Sequence, residues 1–138
     1  MEKSTQKDVF CREEIIGSST VAKVGSARIV LAMDGVAPYH MLVIPIRHAE
    51  QPKELSSKEI NDIFEAVHRV EMFYKSKGID GYKIMRLSGA AAGQTIPHIH
   101  WHIIPGTSDF VTDPKQRKIH YAPEELGKAA KALAQEFG

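Results

Sequence analysis

The sequence predicts an α+β fold, a mostly antiparallel five-stranded sheet carrying two helices. Three observations point there. Short apolar runs rich in branched residues are separated by Gly and Pro turn signals. Two longer stretches carry apolar residues at helical spacing. The order is strands, helix, strands, helix, which has too few alternations for a doubly wound α/β sheet.

The elements follow in order. "STVAKV" (19–24) suits a short edge strand, and "ARIVLAMD" (27–34) and "YHMLVIP" (39–45) read as adjacent strands around "GVAP". A helix over 57–77 is expected from Ile60, Ile63, Phe64, Val67, Val70 and Tyr74 along one face. Ser56 and Glu59 form a capping box at its start, and Gly78 is its stop signal. "YKIMRLS" (82–88) and "IPHIHWHII" (96–104) supply the last two strands. The second helix begins near Pro123, with Leu126, Ala130, Leu133 and Phe137 on one stripe. The polar segment 106–121 carries no clear signal.

Composition narrows the function. A chain of 138 residues is expected to form one domain, and 43% apolar with 25% charged residues is ordinary for a soluble globular protein. A formal net charge of +1 without long runs of like charge argues against nucleic-acid or membrane-surface binding, so an anionic ligand must be held locally. Cys11 is the only cysteine, which excludes an intrachain disulfide and multi-thiolate zinc sites. "MEKSTQKD" lacks the apolar core of a signal peptide, and no run approaches the roughly 20 apolar residues of a membrane span. The expected address is the cytoplasm.

The chemistry concentrates in "PHIHWHIIPG" (97–106), where His98, His100 and His102 alternate with Ile99, Trp101 and Ile103. In a strand the three imidazoles share one face, the outer two Cα atoms ~13 Å apart, and the apolar residues share the other. Burying several imidazoles without partners is costly, which disfavours a purely structural row. Histidines at i and i+2 can share a zinc with a third ligand, but the outer pair is too widely spaced for all three to meet one ion. Nucleophilic catalysis is the remaining use, because neutral imidazole attacks well near neutral pH while its neighbours bind charge and move protons. Directly upstream, "SGAAAGQT" (88–95) is a small-residue loop of the kind that lets backbone N–H groups approach phosphate oxygens.

With these residues in view the chain resembles the histidine triad superfamily, in its Hint-like or bacterial branch. The signature His-φ-His-φ-His-φ-φ, φ being apolar, stands complete from His98 to Ile104. "GQT" (93–95) precedes it, "HMLVIPIRH" (40–48) matches a second hallmark, and "FC" (10–11) matches the family's start. The similarity runs from about residue 9 to about 106 of a single domain spanning 1–138.

The resemblance implies a hydrolase or transferase acting at the α-phosphorus of a nucleotide, a purine nucleotide by preference. His100 would attack and carry the nucleotide, which water then releases. His102 and His40 would bind the phosphate and supply a proton, and His98 would support the network from behind. Gly93, Gln94 and Thr95 would hold the phosphate, Asp34 the ribose hydroxyls, and Phe10 the base. The branches cleave nucleoside phosphoramidates or dinucleoside polyphosphates; the uridylyltransferase branch carries Gln at the third histidine, whereas this chain keeps His102. The alternative function is a nucleotide-binding scaffold with weak catalysis. The resemblance further implies a homodimer joined along the long helix and a strand edge, and no cofactor.

Some positions depart from the pattern. The spacing from Asp34 to His40 is shortened, and Leu87 stands where an Asn is common. Some bacterial relatives hold zinc on Cys-x-x-Cys and two histidines. Here Asp8 replaces the first Cys, leaving Cys11, His48 and His98, so no bound metal is expected. His48, His68 and His120 fall in no catalytic motif and are expected on the surface.

Overall fold

A computed structural model describes residues 8–106 and 119–137. The N-terminal octapeptide except Asp8, and residues 107–118 of the polar segment, lie outside the described residues.

The element order is α1 (Glu13–Ile16), β1 (Thr20–Val24), β2 (Ala27–Leu31), β3 (Asp34–Gly35), β4 (Met41–Pro45), α2 (Ser57–Ser76), β5 (Tyr82–Arg86), β6 (Trp101–Pro105), β7 (Ile119–His120) and α3 (Pro123–Phe137). Five strands form one antiparallel sheet in the order β1-β2-β4-β6-β5, and β3 pairs with β7 separately. The expected α+β architecture is therefore present, with one extra short helix, α1, for which the sequence showed no periodic signal.

Register explains how one sheet serves two purposes. Val30 pairs with Leu42, and Leu42 with His102, so these three share a face. The opposite face presents Ile29, Met41, Val43 and Ile103 to Val67 and Val70 of α2. The central strands β2 and β4 are buried throughout, which is why they read as continuous apolar runs and not as alternating ones. A smaller apolar cluster of Phe10, Ile16, Val30, Leu42 and Ile44 covers the histidine face.

The last strand is shorter than the 96–104 expected. Pro97 has no N–H to donate to a ladder, and the Ile99 N–H bonds the Ala49 carbonyl at 2.7 Å, outside the sheet. Only His102 sits within β6; His98 and His100 lie on the buried approach to it. On α2, Ile60 and Phe64 are 38% and 52% exposed, so they lie off the core stripe to which their spacing assigned them.

The start of α2 is built as the sequence implies. Ser56 Oγ accepts from the Glu59 N–H at 3.1 Å, and Glu59 accepts from the Ser56 N–H at 2.9 Å. Arg47 adds two bonds to the Glu59 carboxylate, at 3.0 and 2.8 Å. Chiefly because of Arg47, and despite partial desolvation, the Glu59 pKa is lowered from its ordinary 4.5 to about 2. A depressed folded-state pKa contributes stability that is complete above about 4.5 and lost as pH falls toward 2. Glu59→Gln is therefore expected to cost about 1–3 kcal/mol near neutral pH. Urea titrations from pH 7 downward check this: the gap between wild type and variant closes across that acid window.

Candidate functional site

His40, His100 and His102 converge, and their hydrogen bonds assign the protons. The Val36 N–H donates to His40 Nδ1 at 3.1 Å, so neutral His40 carries its proton on Nε2. That proton points at His102 Nδ1, 3.1 Å away, which must accept, placing the His102 proton on its own Nε2. His100 behaves oppositely. Its Nδ1 lies 2.7 Å from the His98 carbonyl and donates to it, leaving the lone pair on Nε2. With ring centroids 5.0 Å apart, a nucleophilic nitrogen and a proton-bearing nitrogen thus stand side by side.

His40 is held by strain on the preceding residue. Tyr39 has φ 67°, a left-handed conformation uncommon for a non-glycine residue. Its carbonyl accepts from the buried Tyr74 hydroxyl at 2.6 Å, and His40 itself bonds Ala37 and Ala32 through its backbone. Burial raises the Tyr74 pKa, so the phenol stays a donor.

His100 and His102 open into a mostly apolar cavity whose walls include Phe10, Asp34, Gly93 and Thr95. Phe10 meets His100 edge-on, centroids 5.2 Å apart, so it spans the nucleophile and the apolar pocket. Asp34 stands at the cavity despite the shortened segment to His40. Leu87 is half-buried, and continuing the Arg86–Trp101 register places it across from His100.

Two expectations need correction. Gln94 is a brace of the loop and not a wall of the cavity: its Oε1 accepts from the Gly89 N–H at 2.8 Å, and its Nε2 donates to the Ile96 carbonyl at 2.9 Å. The N–H groups of Ala92, Gly93 and Gln94 also bond carbonyls within the loop, because Gly89 and Gly93 take positive φ and fold it on itself. His98 is fully buried behind the cavity, contributing its carbonyl to His100 while its ring faces away.

The His98 ring joins a second group. Ligand atoms of Asp8, Cys11, His48 and His98 all lie within 4.8 Å of one another. His98 Nε2 donates to the Pro45 carbonyl at 2.9 Å, and His48 Nε2 lies 3.3 Å from Glu50 Oε2. Both Nδ1 atoms therefore point inward, each 3.4 Å from Cys11 Sγ, with the outer nitrogen anchored as it is in metal-binding histidines. The Asp8 carboxylate closes the set, its Oδ2 3.1 Å from His48 Nδ1 and its Oδ1 3.2 Å from His98 Nδ1. This set fits a zinc-class ion, one carboxylate replacing a thiolate. The expectation of no metal treated Asp8 as a break in the set, whereas its carboxylate lies inside it. The Asp8-x-x-Cys11 spacing was the available signal.

Of the histidines expected on the surface, His48 is instead largely buried in this cluster. His120 is exposed and bonds Asp34. His68 is exposed, as expected.

Comparison with known proteins agrees with this geometry. The HIT domain model matches residues 14–109. An adenosine 5′-monophosphoramidase of Schizosaccharomyces pombe is 34% identical over 133 residues, covering 94% of each chain. An asymmetrical bis(5′-nucleosyl)-tetraphosphatase of the same yeast is 31% identical over 100 residues, covering 72% of this chain and 55% of that protein. Among solved structures, a hypothetical histidine triad nucleotide-binding protein from Sulfolobus tokodaii superposes with a TM-score of 0.72 at 25% identity, over 94% of this chain and 91% of that one. With the complete histidine motif in place and most of its length matched, this chain belongs to the HIT domain family.

Proposed function

We propose that this protein is a nucleotide hydrolase or transferase that cleaves at an α-phosphorus through a nucleotidyl-His100 intermediate. The supporting observation is the opposed proton placement on His100 and His102. His100 Nε2 attacks phosphorus and forms a P–N bond while the bond to the leaving group breaks. The His102 Nε2–H donates a hydrogen bond to the charge developing on the leaving amine or phosphate, which takes its proton from solvent, with His40 holding the tautomer. Water then attacks phosphorus, loses a proton to solvent, and releases the nucleotide and His100 as the P–N bond breaks. Thr95, on the cavity wall, contacts the phosphate, Gly93 lets the loop approach closely beside it, and Gln94 acts only by holding that loop. Asp34 takes the ribose, and Phe10 with its apolar neighbours takes a purine base.

The leaving group is tested by a panel of adenosine phosphoramidates and diadenosine polyphosphates, measured in wild type and Leu87→Asn. Leu87 supplies no donor opposite His100, so a contact to developing charge is missing. A hydrogen bond to a charged group is worth ~1.5–3 kcal/mol, or about ten- to a hundredfold in rate. Leu87→Asn is expected to raise kcat/KM on phosphoramidates by that order and to leave polyphosphates unimproved. Loss of activity on every substrate would assign Leu87 to packing. Nucleotide binding without turnover in the wild type would favour the scaffold reading instead.

The protein acts as a homodimer in this proposal. Ile60, Phe64 and Met72 fall on one stripe of α2, and all three are exposed, as is Ile84 on edge strand β5. Light scattering is expected to give twice the chain mass for wild type and a monomer for Phe64→Glu.

Asp8, Cys11, His48 and His98 would hold a zinc-class ion, which when bound supplies cross-linking of the N-terminal segment to the core and not Lewis-acid chemistry at the phosphate.

A further inference from the structure

β3 and β7 are only two residues long, and pairs this short have little stability of their own. Their register nevertheless sets Asp34 directly opposite His120, and Gly35 opposite Ile119. The Tyr121 N–H extends the pairing to the Met33 carbonyl at 3.0 Å. At the centre of this ribbon, His120 Nδ1 lies 2.5 Å from Asp34 Oδ1. Asp34 and Met33 both line the cavity that holds His100 and His102, and so does Leu126 of α3 just beyond. The C-terminal segment, which carries no recognisable motif, thus returns at residues 119–126 to the substrate cavity and grips Asp34, its one acidic wall residue among the described residues.

We infer that His120 is a positioning residue for sugar recognition, an inference that rests on the nucleotide reading above. A partly exposed carboxylate samples several rotamers, and a fixed donor selects one of them. A vicinal diol presents two hydroxyl donors, which a carboxylate's two oxygens can accept together. Such an acceptor takes about four hydrogen bonds, so the bond from His120 orients Asp34 without exhausting it. Cross-strand partners directly opposite each other are the closest side chains in a sheet, and the ribbon thereby sets the distance as well as the angle. His120 touches the diol only through Asp34.

The test compares wild type, His120→Ala and His120→Asn on adenosine and 2′-deoxyadenosine 5′-phosphoramidates, with kcat and KM separated. The pair is half-exposed, so the expected effect is modest: His120→Ala raises KM for the ribonucleotide about fivefold and leaves kcat within about twofold. On the deoxynucleotide, which lacks one of the two donors, the same change shifts KM by less than about twofold. His120→Asn, whose amide still donates, regains most of the loss. Equal losses on both sugars would make β7 a structural strap and overturn the inference, as would no loss on the ribonucleotide. Calorimetric binding of AMP and 2′-deoxy-AMP to the same variants repeats the comparison without turnover. An inactive wild type whose AMP binding still depends on His120 would sink the hydrolase reading and keep the positioning role. A wild type that binds neither nucleotide would overturn both.

Discussion

Replacing His100 with alanine is expected to lower turnover by at least about a thousandfold while nucleotide binding stays within a few-fold, because removing a nucleophile abolishes a covalent route outright. The reason lies in one bond. The Nδ1–H of His100 is donated to the His98 carbonyl, so the reactive lone pair is held on Nε2, beside the proton-bearing ring of His102. Among the described residues no neighbour duplicates that state: His102 Nδ1 is committed to His40, and the His98 ring faces away from the cavity. Acid quench of wild type with labelled substrate should trap the nucleotide on a peptide spanning residues 97–106. A His100→Ala protein with wild-type turnover, or a quench that labels another segment, would sink the covalent mechanism.

Zinc added to metal-stripped protein is expected to raise its thermal midpoint by roughly 10–20 °C. Binding at a thousand times the dissociation constant contributes ~4 kcal/mol, and for a chain of this size each kcal/mol moves the midpoint by roughly 3–5 °C. Turnover should be unchanged by chelation, since the phosphate meets imidazoles and not the ion. Asp8→Ala and Cys11→Ala should each remove most of the thermal gain. Asp8→Cys should keep it, because a thiolate at that position completes the same four-ligand set. The absence of any zinc-dependent shift would show that the four side chains meet only as a hydrogen-bonded cluster. A loss of turnover on chelation, restored by zinc, would instead put the ion in the catalytic step.

Much of the site was legible because its chemistry is local. Three alternating imidazoles after a small-residue loop are adjacent in the chain, and the two of them that line the cavity, His100 and His102, stand at the alternate spacing of one strand face. The same holds for α2, whose cap at Ser56 and Glu59 and whose core positions Ile63, Val67 and Val70 are all set by spacing along one helix. Where local pattern misled, tertiary contacts were responsible. Ile60 and Phe64 fit the helical stripe but stay 38% and 52% exposed, Phe64 meeting Trp101 only edge-on. Gln94 has the donors a phosphate needs, yet the loop around Gly89 and Gly93 folds back and takes them.

The sequence by itself determined the fold class, the α2 boundaries within a residue, and the identity of His100 as the central imidazole of the row. These follow from periodicity and capping, which act over a few residues and leave their mark in the order of side chains. Only the tertiary structure decided the protonation pattern, since that depends on Val36 and the His98 carbonyl reaching rings in separate segments. It alone put the Asp8 carboxylate inside the set of Cys11, His48 and His98 and set His120 against Asp34, 86 positions apart. Contacts of that separation are chosen by sheet order and strand register, which packing of the whole chain selects and no short stretch encodes.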